Sequence, residues 1–232
     1  MAKVIEKFPN QNYKPVKTIT FAYQKNYLVK NQKNGFMKKN AFVIITMIML
    51  IFTSCGPRQQ PAEEPAVTPA TEILSTTQQA FFDNLSQLCG QSFAGKEIYR
   101  SHHAPGWAEH EMVMHVDVCE SDRILIPFRV GEDTSRTWMF LAEDGLLRLR
   151  HDHRYPDGTP EEESLYGGFA DDTGTAFEQH FPADAYTAEI IDGGGGNVWT
   201  IRIAEDFTTF TYRLERDGEK RMRVDFDLTN PL

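Results

Sequence analysis

The sequence has few cysteines, no long apolar run and no recognisable catalytic motif. Its three cysteines, Cys55, Cys89 and Cys119, show neither a CxxC pair nor the Cys/His spacing of a zinc site. The longest apolar run covers residues 41 to 52, whereas a membrane-spanning helix needs roughly 20 residues. GxSxG, HExxH and calcium-loop patterns are missing as well. These gaps argue against a spanning anchor and leave no motif that marks an enzyme.

Positive charge is scarce outside the first 54 residues. The whole chain has 24 basic and 33 acidic residues, and residues 1–54 contain nine lysines and one glutamate. Residues 55–232 therefore carry 15 basic and 32 acidic residues, a formal charge of −17. Such a field repels nucleic-acid phosphates and anionic membrane surfaces. We expect no nucleic-acid partner, and we expect any membrane attachment to come from a lipid.

The apolar run lies between a basic start and a cysteine. Met37-Lys38-Lys39 precedes it, and Phe52-Thr53-Ser54-Cys55 follows. A basic region, a short apolar core and small residues, in that order, are typical of a secretory signal. The last four residues resemble the lipobox of bacterial lipoproteins. That resemblance implies that Cys55 is lipidated, becomes the mature N-terminus and anchors an exported protein to the bacterial envelope.

This signal divides the chain into four segments. Residues 37–54 are the predicted signal peptide, 55–73 a lipid-anchored flexible tether rich in Pro, Ala, Thr and Glu, and 74–232 a single domain. Residues 1–36 carry seven lysines and one acid and show no sustained hydrophobic period. They are either a start-site artefact, with translation beginning at the methionine of the signal, or an unstructured cytoplasmic extension before a signal anchor.

The remaining cysteines and the residue after Cys55 bear on the compartment. Assigning Cys55 to lipid leaves Cys89 and Cys119, which we expect to form a disulfide in an oxidising envelope; two buried free thiols are the alternative.

In lipoproteins of well-studied Gram-negative bacteria, an aspartate after the lipidated cysteine signals inner-membrane retention. Gly56 stands there instead, so the resemblance implies the outer membrane rather than the inner, on either its periplasmic or its surface face.

A short helix is predicted at the start of the domain. Ser75 and Gln78 form a weak capping box, and Gly90 is well placed to end the helix. The apolar residues between them fall on one helical face: Phe81, Leu85 and Leu88.

From Ser92 to Leu228 the hydrophobic period switches to two, which is typical of strands. Turn sequences separate the alternating runs, and Asp217-Gly218 is the clearest hairpin signal among them. The glycine run Gly193 to Gly196 predicts a flexible hairpin. Eight to ten short antiparallel strands predict a mainly β fold, an up-and-down β-barrel with a short N-terminal helix; a β-sandwich is the alternative. The alternating runs cover 112–118, 124–130, 136–140, 147–153, 197–203, 210–214 and 222–228.

A helix followed by such a meander resembles the calycins, the class of the lipocalins and fatty-acid-binding proteins. Residues 88–232 also resemble uncharacterised secreted bacterial proteins. The recurring pieces include Ser135-Arg136-Thr137-Trp138, His151-Asp152-His153-Arg154 and Tyr166-Gly167-Gly168. The second resemblance covers the whole domain and implies no activity.

His151 and His153 are the best polar candidates for a metal or ligand site. Residues two apart in a strand face the same way, so both imidazoles could serve one metal, as in the cupins, if a further ligand joined them. The alternatives are structural hydrogen bonds to the carboxylates of residues 161–163, or contact with a ligand. The candidates for a third metal ligand are His115, His180 and Glu178. No cofactor is indicated beyond this.

Arg136 and Trp138 share one strand face. In calycins, an arginine packed over a tryptophan often closes one end of the barrel. The resemblance therefore implies a structural pair, in which a cation–π contact contributes roughly 0.5–2 kcal/mol.

Three functions are compatible with the sequence. The first is non-enzymatic binding of a small apolar or amphipathic ligand in the barrel of a lipid-anchored envelope protein. The second is an envelope structural or interaction protein with a packed barrel core and an unidentified protein partner. The third is a metal-binding protein or enzyme centred on His151-Asp152-His153. Enzymatic activity is the least favoured of these.

Overall fold

The structure, a computed structural model, describes residues 74–101 and 106–232. The predicted signal peptide, the predicted lipidation site Cys55 and the tether lie outside the described residues. Within the two described ranges, no helix combines the length and the apolarity needed to cross a bilayer.

The described residues form eleven strands and two short α-helices. Helix α1 is Thr76–Ser86 and helix α2 is Ala185–Ile190. The strands are β1 Ser92–Arg100, β2 Met112–His115, β3 Val118–Glu120, β4 Arg123–Val130, β5 Asp133–Glu143, β6 Leu146–His153, β7 Tyr166–Phe169, β8 Glu178–Pro182, β9 Asn197–Ile203, β10 Thr209–Arg216 and β11 Glu219–Asp227.

The strands form one antiparallel, nearly closed barrel. Their spatial order is β7-β6-β5-β4-β2-β1-β11-β10-β9-β8, and β3 pairs with β4 beside β2. Almost every neighbour in space is therefore a neighbour in sequence, and the pairing of β1 with β11 joins the two ends of the domain. This order is an up-and-down meander. The predicted barrel is confirmed, and the alternative of a β-sandwich is not what the sheet forms.

Helix α1 closes one end of the barrel. Ser75 caps it, because its hydroxyl accepts a hydrogen bond from the backbone N–H of Gln78. Phe81 and Leu85 are fully buried in the core, and the Gln78 side-chain oxygen accepts a hydrogen bond of 2.9 Å from the backbone N–H of Leu147 in β6. The predicted helix, its cap and its apolar face are therefore confirmed. The chain then turns at Gly90, whose φ is +77°.

A disulfide between Cys89 and Cys119 joins the turn after α1 to β3. The predicted pairing is present, across a sequence separation of 30 residues. A cross-link of that span stabilises a fold by roughly 3–4 kcal/mol, because it limits the freedom of the unfolded chain. The bond therefore secures the helix-closed end of the barrel.

Two predicted segments differ in detail from the sequence pattern. The alternating run 112–118 is not one strand: it breaks after β2, where the N–H of Val116 donates to Gln91 and the N–H of Asp117 donates to Leu125. The glycine run was expected to form a flexible hairpin. Instead, Gly194–Gly196 form a 3₁₀ turn that leads from α2 into β9.

Candidate functional site

The centre of the barrel is filled by aromatic side chains of the protein itself. The Trp138 ring stacks with Phe128 and with Tyr212, each with a centroid separation of 4.7 Å. Phe226 meets Trp138 edge-on at 5.9 Å, and Phe210 stacks at 6.2 Å. Aromatic pairs at such distances contribute about 0.5–1.5 kcal/mol each beyond their buried area. The rings therefore form a continuous packed stack inside the barrel.

The rest of the inner wall continues this packing. The strands alternate so that their apolar residues point inward, and the inward side chains at the middle of β4, β5, β9 and β11 are almost completely buried. The largest fully buried side chains are Trp199, Phe81, Phe93, Phe128, Phe140, Phe181, Phe210 and Phe226. Phe81 of α1 meets Phe140 at 6.3 Å, and Phe140 meets Phe181 at 6.1 Å, so close-packed rings extend inward from the helix-closed end of the barrel.

His151 is buried inside the barrel and is held by two tyrosines. Its Nδ1 lies 3.2 Å from the backbone oxygen of Tyr166, and its Nε2 lies 2.9 Å from the hydroxyl of Tyr212. A carbonyl can only accept, so Nδ1 carries the proton and Nε2 accepts from the Tyr212 hydroxyl. Burial, with the nearby imidazole of His153, lowers the pKa of His151 to about 3. The ring is therefore neutral and fully used by internal hydrogen bonds.

His153 lies nearer the open end of the barrel. Its Nε2 is 3.1 Å from the Tyr166 hydroxyl, and its Nδ1 is 4.0 Å from a carboxylate oxygen of Glu161. Burial lowers the pKa of His153 to about 4, and the guanidinium of Arg136 adds to that shift. The two histidines thus share one face of β6 as predicted, but their hydrogen bonds go to Tyr166 and Tyr212 rather than to the carboxylates of residues 161–163.

The tyrosines of this cluster are held in their neutral form. Burial raises the pKa of the Tyr166 phenol and that of Tyr212 well above the ordinary value. The indole N–H of Trp199 is buried without a hydrogen bond of good geometry, although it lies close enough to the Tyr212 hydroxyl to lower that pKa slightly. None of these groups is poised to exchange a proton near neutral pH.

The candidate third metal ligands do not join His151 and His153. His115 follows inward-facing Met114 in β2, so it points outward, where its Nδ1 lies 2.9 Å from the Ser92 hydroxyl. His180 also points outward and lies 3.1 Å from the Thr200 hydroxyl. In the part of the chain that the structure describes, no group of three or more His, Cys, Asp or Glu side chains could hold a metal ion.

A serine, a histidine and an aspartate lie side by side near the end of β6, but not as a catalytic triad. Ser164 donates its hydroxyl proton to Asp152 across 3.0 Å, and its oxygen accepts from the backbone N–H of His153 across 2.8 Å. The imidazole of His153 points into the barrel, away from both side chains. Asp152 also accepts from Arg154 across 2.7 Å, so this group fixes the loop after β6.

Arg136 lies at the open end of the barrel, opposite the end that α1 closes. Its guanidinium is 5.5 Å from the centre of the Trp107 ring and pairs with Asp133 at 2.5 Å. Trp107 in turn packs edge-on against Phe128 at 5.3 Å. The cation–π partner of Arg136 is thus Trp107 rather than Trp138, the partner predicted from the sequence. An arginine over a tryptophan does line this end, but the tryptophan comes from the loop after β1.

The described residues therefore offer a packed barrel, a neutral His/Tyr cluster and an arginine–tryptophan contact at the open end. Neither a nucleophile paired with a base nor a metal set is among them. No protein-family model and no curated protein matches the chain.

Proposed function

We propose that the protein is an exported envelope lipoprotein, anchored through Cys55, whose packed barrel is a scaffold for recognition at its surface. A single observation carries the choice of scaffold over carrier: Trp138 is stacked with both Phe128 and Tyr212 at the centre of the barrel. A carrier of apolar ligands needs a lumen of several hundred Å³. The stacked inner rings favour a filled interior over such a lumen, so we place recognition on the outer wall and the loops.

The anchor is supported by the lipobox-like Phe52-Thr53-Ser54-Cys55 and by the charge of the domain. With 15 basic and 32 acidic residues after residue 54, the domain has little electrostatic attraction to an anionic bilayer. A protein of this charge stays on a membrane through acyl chains, and two or more chains hold it firmly where one does not.

The anchor is tested by replacing the cysteine. We expect the natural protein to sediment with envelope membranes and to incorporate a labelled fatty acid, and we expect Cys55→Ser to lose the label and become soluble after export. Cys89→Ser is the matched control, because it removes a cysteine that is predicted to carry no lipid. Retention of the label in Cys55→Ser would refute the anchor.

The scaffold is tested against the carrier by titrating the protein with N-phenyl-1-naphthylamine, an apolar fluorescent probe. A packed barrel gives no saturable binding at a ratio of one to one. A carrier gives saturable binding, with energy transfer from Trp138 and Trp199, the two buried tryptophans. Saturable binding that a lipid extract of the envelope reverses would restore the carrier function, in which an amphipathic ligand occupies the barrel.

A further inference from the structure

The barrel wall has one weak seam, between β7 and β8. These strands end the sheet order, and no ladder of paired residues joins them in the described sheet. Two backbone hydrogen bonds cross the seam, from the N–H of Asp184 to the oxygen of Gly167 at 3.0 Å, and from the N–H of Asp171 to the oxygen of His180 at 2.9 Å. By contrast, β5 and β6 pair over eight residues.

The segment that follows β8 folds back over β7 and ties the two strands together. The N–H of Gly167 donates to the Thr187 hydroxyl oxygen at 2.7 Å, and that hydroxyl lies 2.7 Å from the Gly167 oxygen. Thr187 is fully buried, and its own N–H donates to the Asp184 carboxylate at 2.9 Å. Both backbone groups of Gly167 that face the seam are thus bound by one side chain.

Asp184 joins this turn to the neighbouring wall. One of its carboxylate oxygens pairs with Arg148 at 3.2 Å and also with Arg150. Both arginines belong to β6, the strand next to β7, and Arg150 is almost fully buried. The Asp184–Thr187 turn therefore connects β8 to β7 and β6 through side chains, where the sheet itself provides few backbone bonds.

We propose that the barrel wall opens locally between β7 and β8 before the rest of the barrel unfolds. The Asp184–Thr187 turn holds this seam closed. Segments with few ladder hydrogen bonds open at a lower free energy than core strands. Opening separates β8 from β7 and exposes the rings of Phe181 in β8 and Trp199 in β9 to solvent. This inference goes beyond the proposed scaffold function and does not depend on the lipid anchor.

Amide hydrogen exchange of the full chain tests this local opening of the β7–β8 seam. We expect the amides of Gly167, Asp171 and Asp184 to exchange at least tenfold faster than those of the β4–β5 ladder, after correction for intrinsic rates. Thr187→Val removes the hydroxyl and leaves the backbone N–H of Gly167 without its partner, while the Gly167 oxygen keeps the hydrogen bond from Asp184. We expect it to accelerate exchange at the seam about tenfold further, while the β4–β5 amides stay unchanged.

Thr208→Val is the matched control, because Thr208 also bonds a nearby aspartate through its hydroxyl, at 2.7 Å, but in an exposed loop. It should leave seam exchange unaltered. Equal protection of the seam and the β4–β5 ladder in the natural chain would overturn the proposal, and so would uniform acceleration of all amides by Thr187→Val. If that variant does not fold, Asp184→Asn gives the same comparison, because it removes the ion pairs and keeps the backbone.

Discussion

Replacing Trp138 with alanine is the perturbation that probes the packed core most directly. Trp138 is 3% exposed and stacks with Phe128 and Tyr212, both at 4.7 Å. Truncation of a buried aromatic ring to alanine costs about 3–5 kcal/mol, because transfer energy is lost and a cavity remains. Several rings lose a stacking partner at once, so we expect the upper half of that range.

The assay is urea unfolding followed by far-ultraviolet circular dichroism, with and without indole. The cavity left by Trp138→Ala has the shape of an indole ring, so indole should bind the variant and raise its stability by mass action, about 2.7 kcal/mol at a hundred times its dissociation constant. Trp107→Ala is the matched control, because Trp107 packs only partly against the core and should cost less. A loss below about 1 kcal/mol in Trp138→Ala, or equal binding of indole to the natural protein, would refute a filled barrel.

Three further predictions concern the wall, the disulfide and pH. Gly168→Ala should prevent folding or cost several kcal/mol, because its Cβ would lie 1.8 Å from a backbone oxygen of β8. Gly158→Ala meets nothing within 4 Å and should cost about 1–2 kcal/mol through its positive φ; urea midpoints compare the two variants. Reducing the bond between Cys89 and Cys119 should lower the unfolding free energy by roughly 3–4 kcal/mol, and an unchanged midpoint would contradict this. Burial lowers the pKa of His151 to about 3. The neutral ring therefore contributes its full stability above the unfolded pKa of about 6.5, and the free energy of unfolding falls by up to about 1.4 kcal/mol per pH unit between there and about 3. His151→Gln should flatten that slope in acid titrations.

Strands β4 to β6 and β9 to β11 were predictable because each buries one face. In β5 and β6 the inward residues are apolar or aromatic over several positions, so the period of two is visible in the sequence. β7 has four residues, and two of them are the adjacent glycines of Tyr166-Gly167-Gly168. β8 contains Gln179 and ends at Pro182. Neither strand shows alternation, and their place in the barrel depends on contacts with distant strands.

The candidate site was predictable in part. The spacing of His151 and His153 correctly placed both rings on one face of a strand. Their partners, Tyr166 and Tyr212, lie on other strands, and the register that brings Tyr212 to His151 depends on closure of the whole barrel. One signal was available: Tyr212 alternates with inward-facing residues, and a buried phenol needs a hydrogen-bond partner.

The partner of Arg136 was not predictable. Strand alternation correctly put Arg136 and Trp138 on one face, but a shared face does not establish contact. Trp138 is already stacked with two rings of the core, and Trp107 reaches Arg136 from the loop after β1. A loop residue has no periodicity that reveals the strand on which it packs.

A repeated turn sequence also carries structural information. Asp-x-Thr occurs at Asp157, Asp171, Asp206 and Asp227, and in each case the carboxylate accepts the backbone N–H and the hydroxyl of the threonine two residues later. Such Asx turns fix the chain where it leaves a strand. Some of the acidic residues of the domain therefore serve to fix turns rather than to form a binding surface.

Native mass spectrometry of the protein extracted from its own envelope tests the central claim most directly. If the aromatic stack around Trp138 fills the barrel, the measured mass equals the polypeptide from Cys55 plus its acyl groups, with no further bound molecule. A second species heavier by a few hundred daltons, lost on gentle activation and present in stoichiometric amount, would show a ligand in the barrel and contradict the packed scaffold.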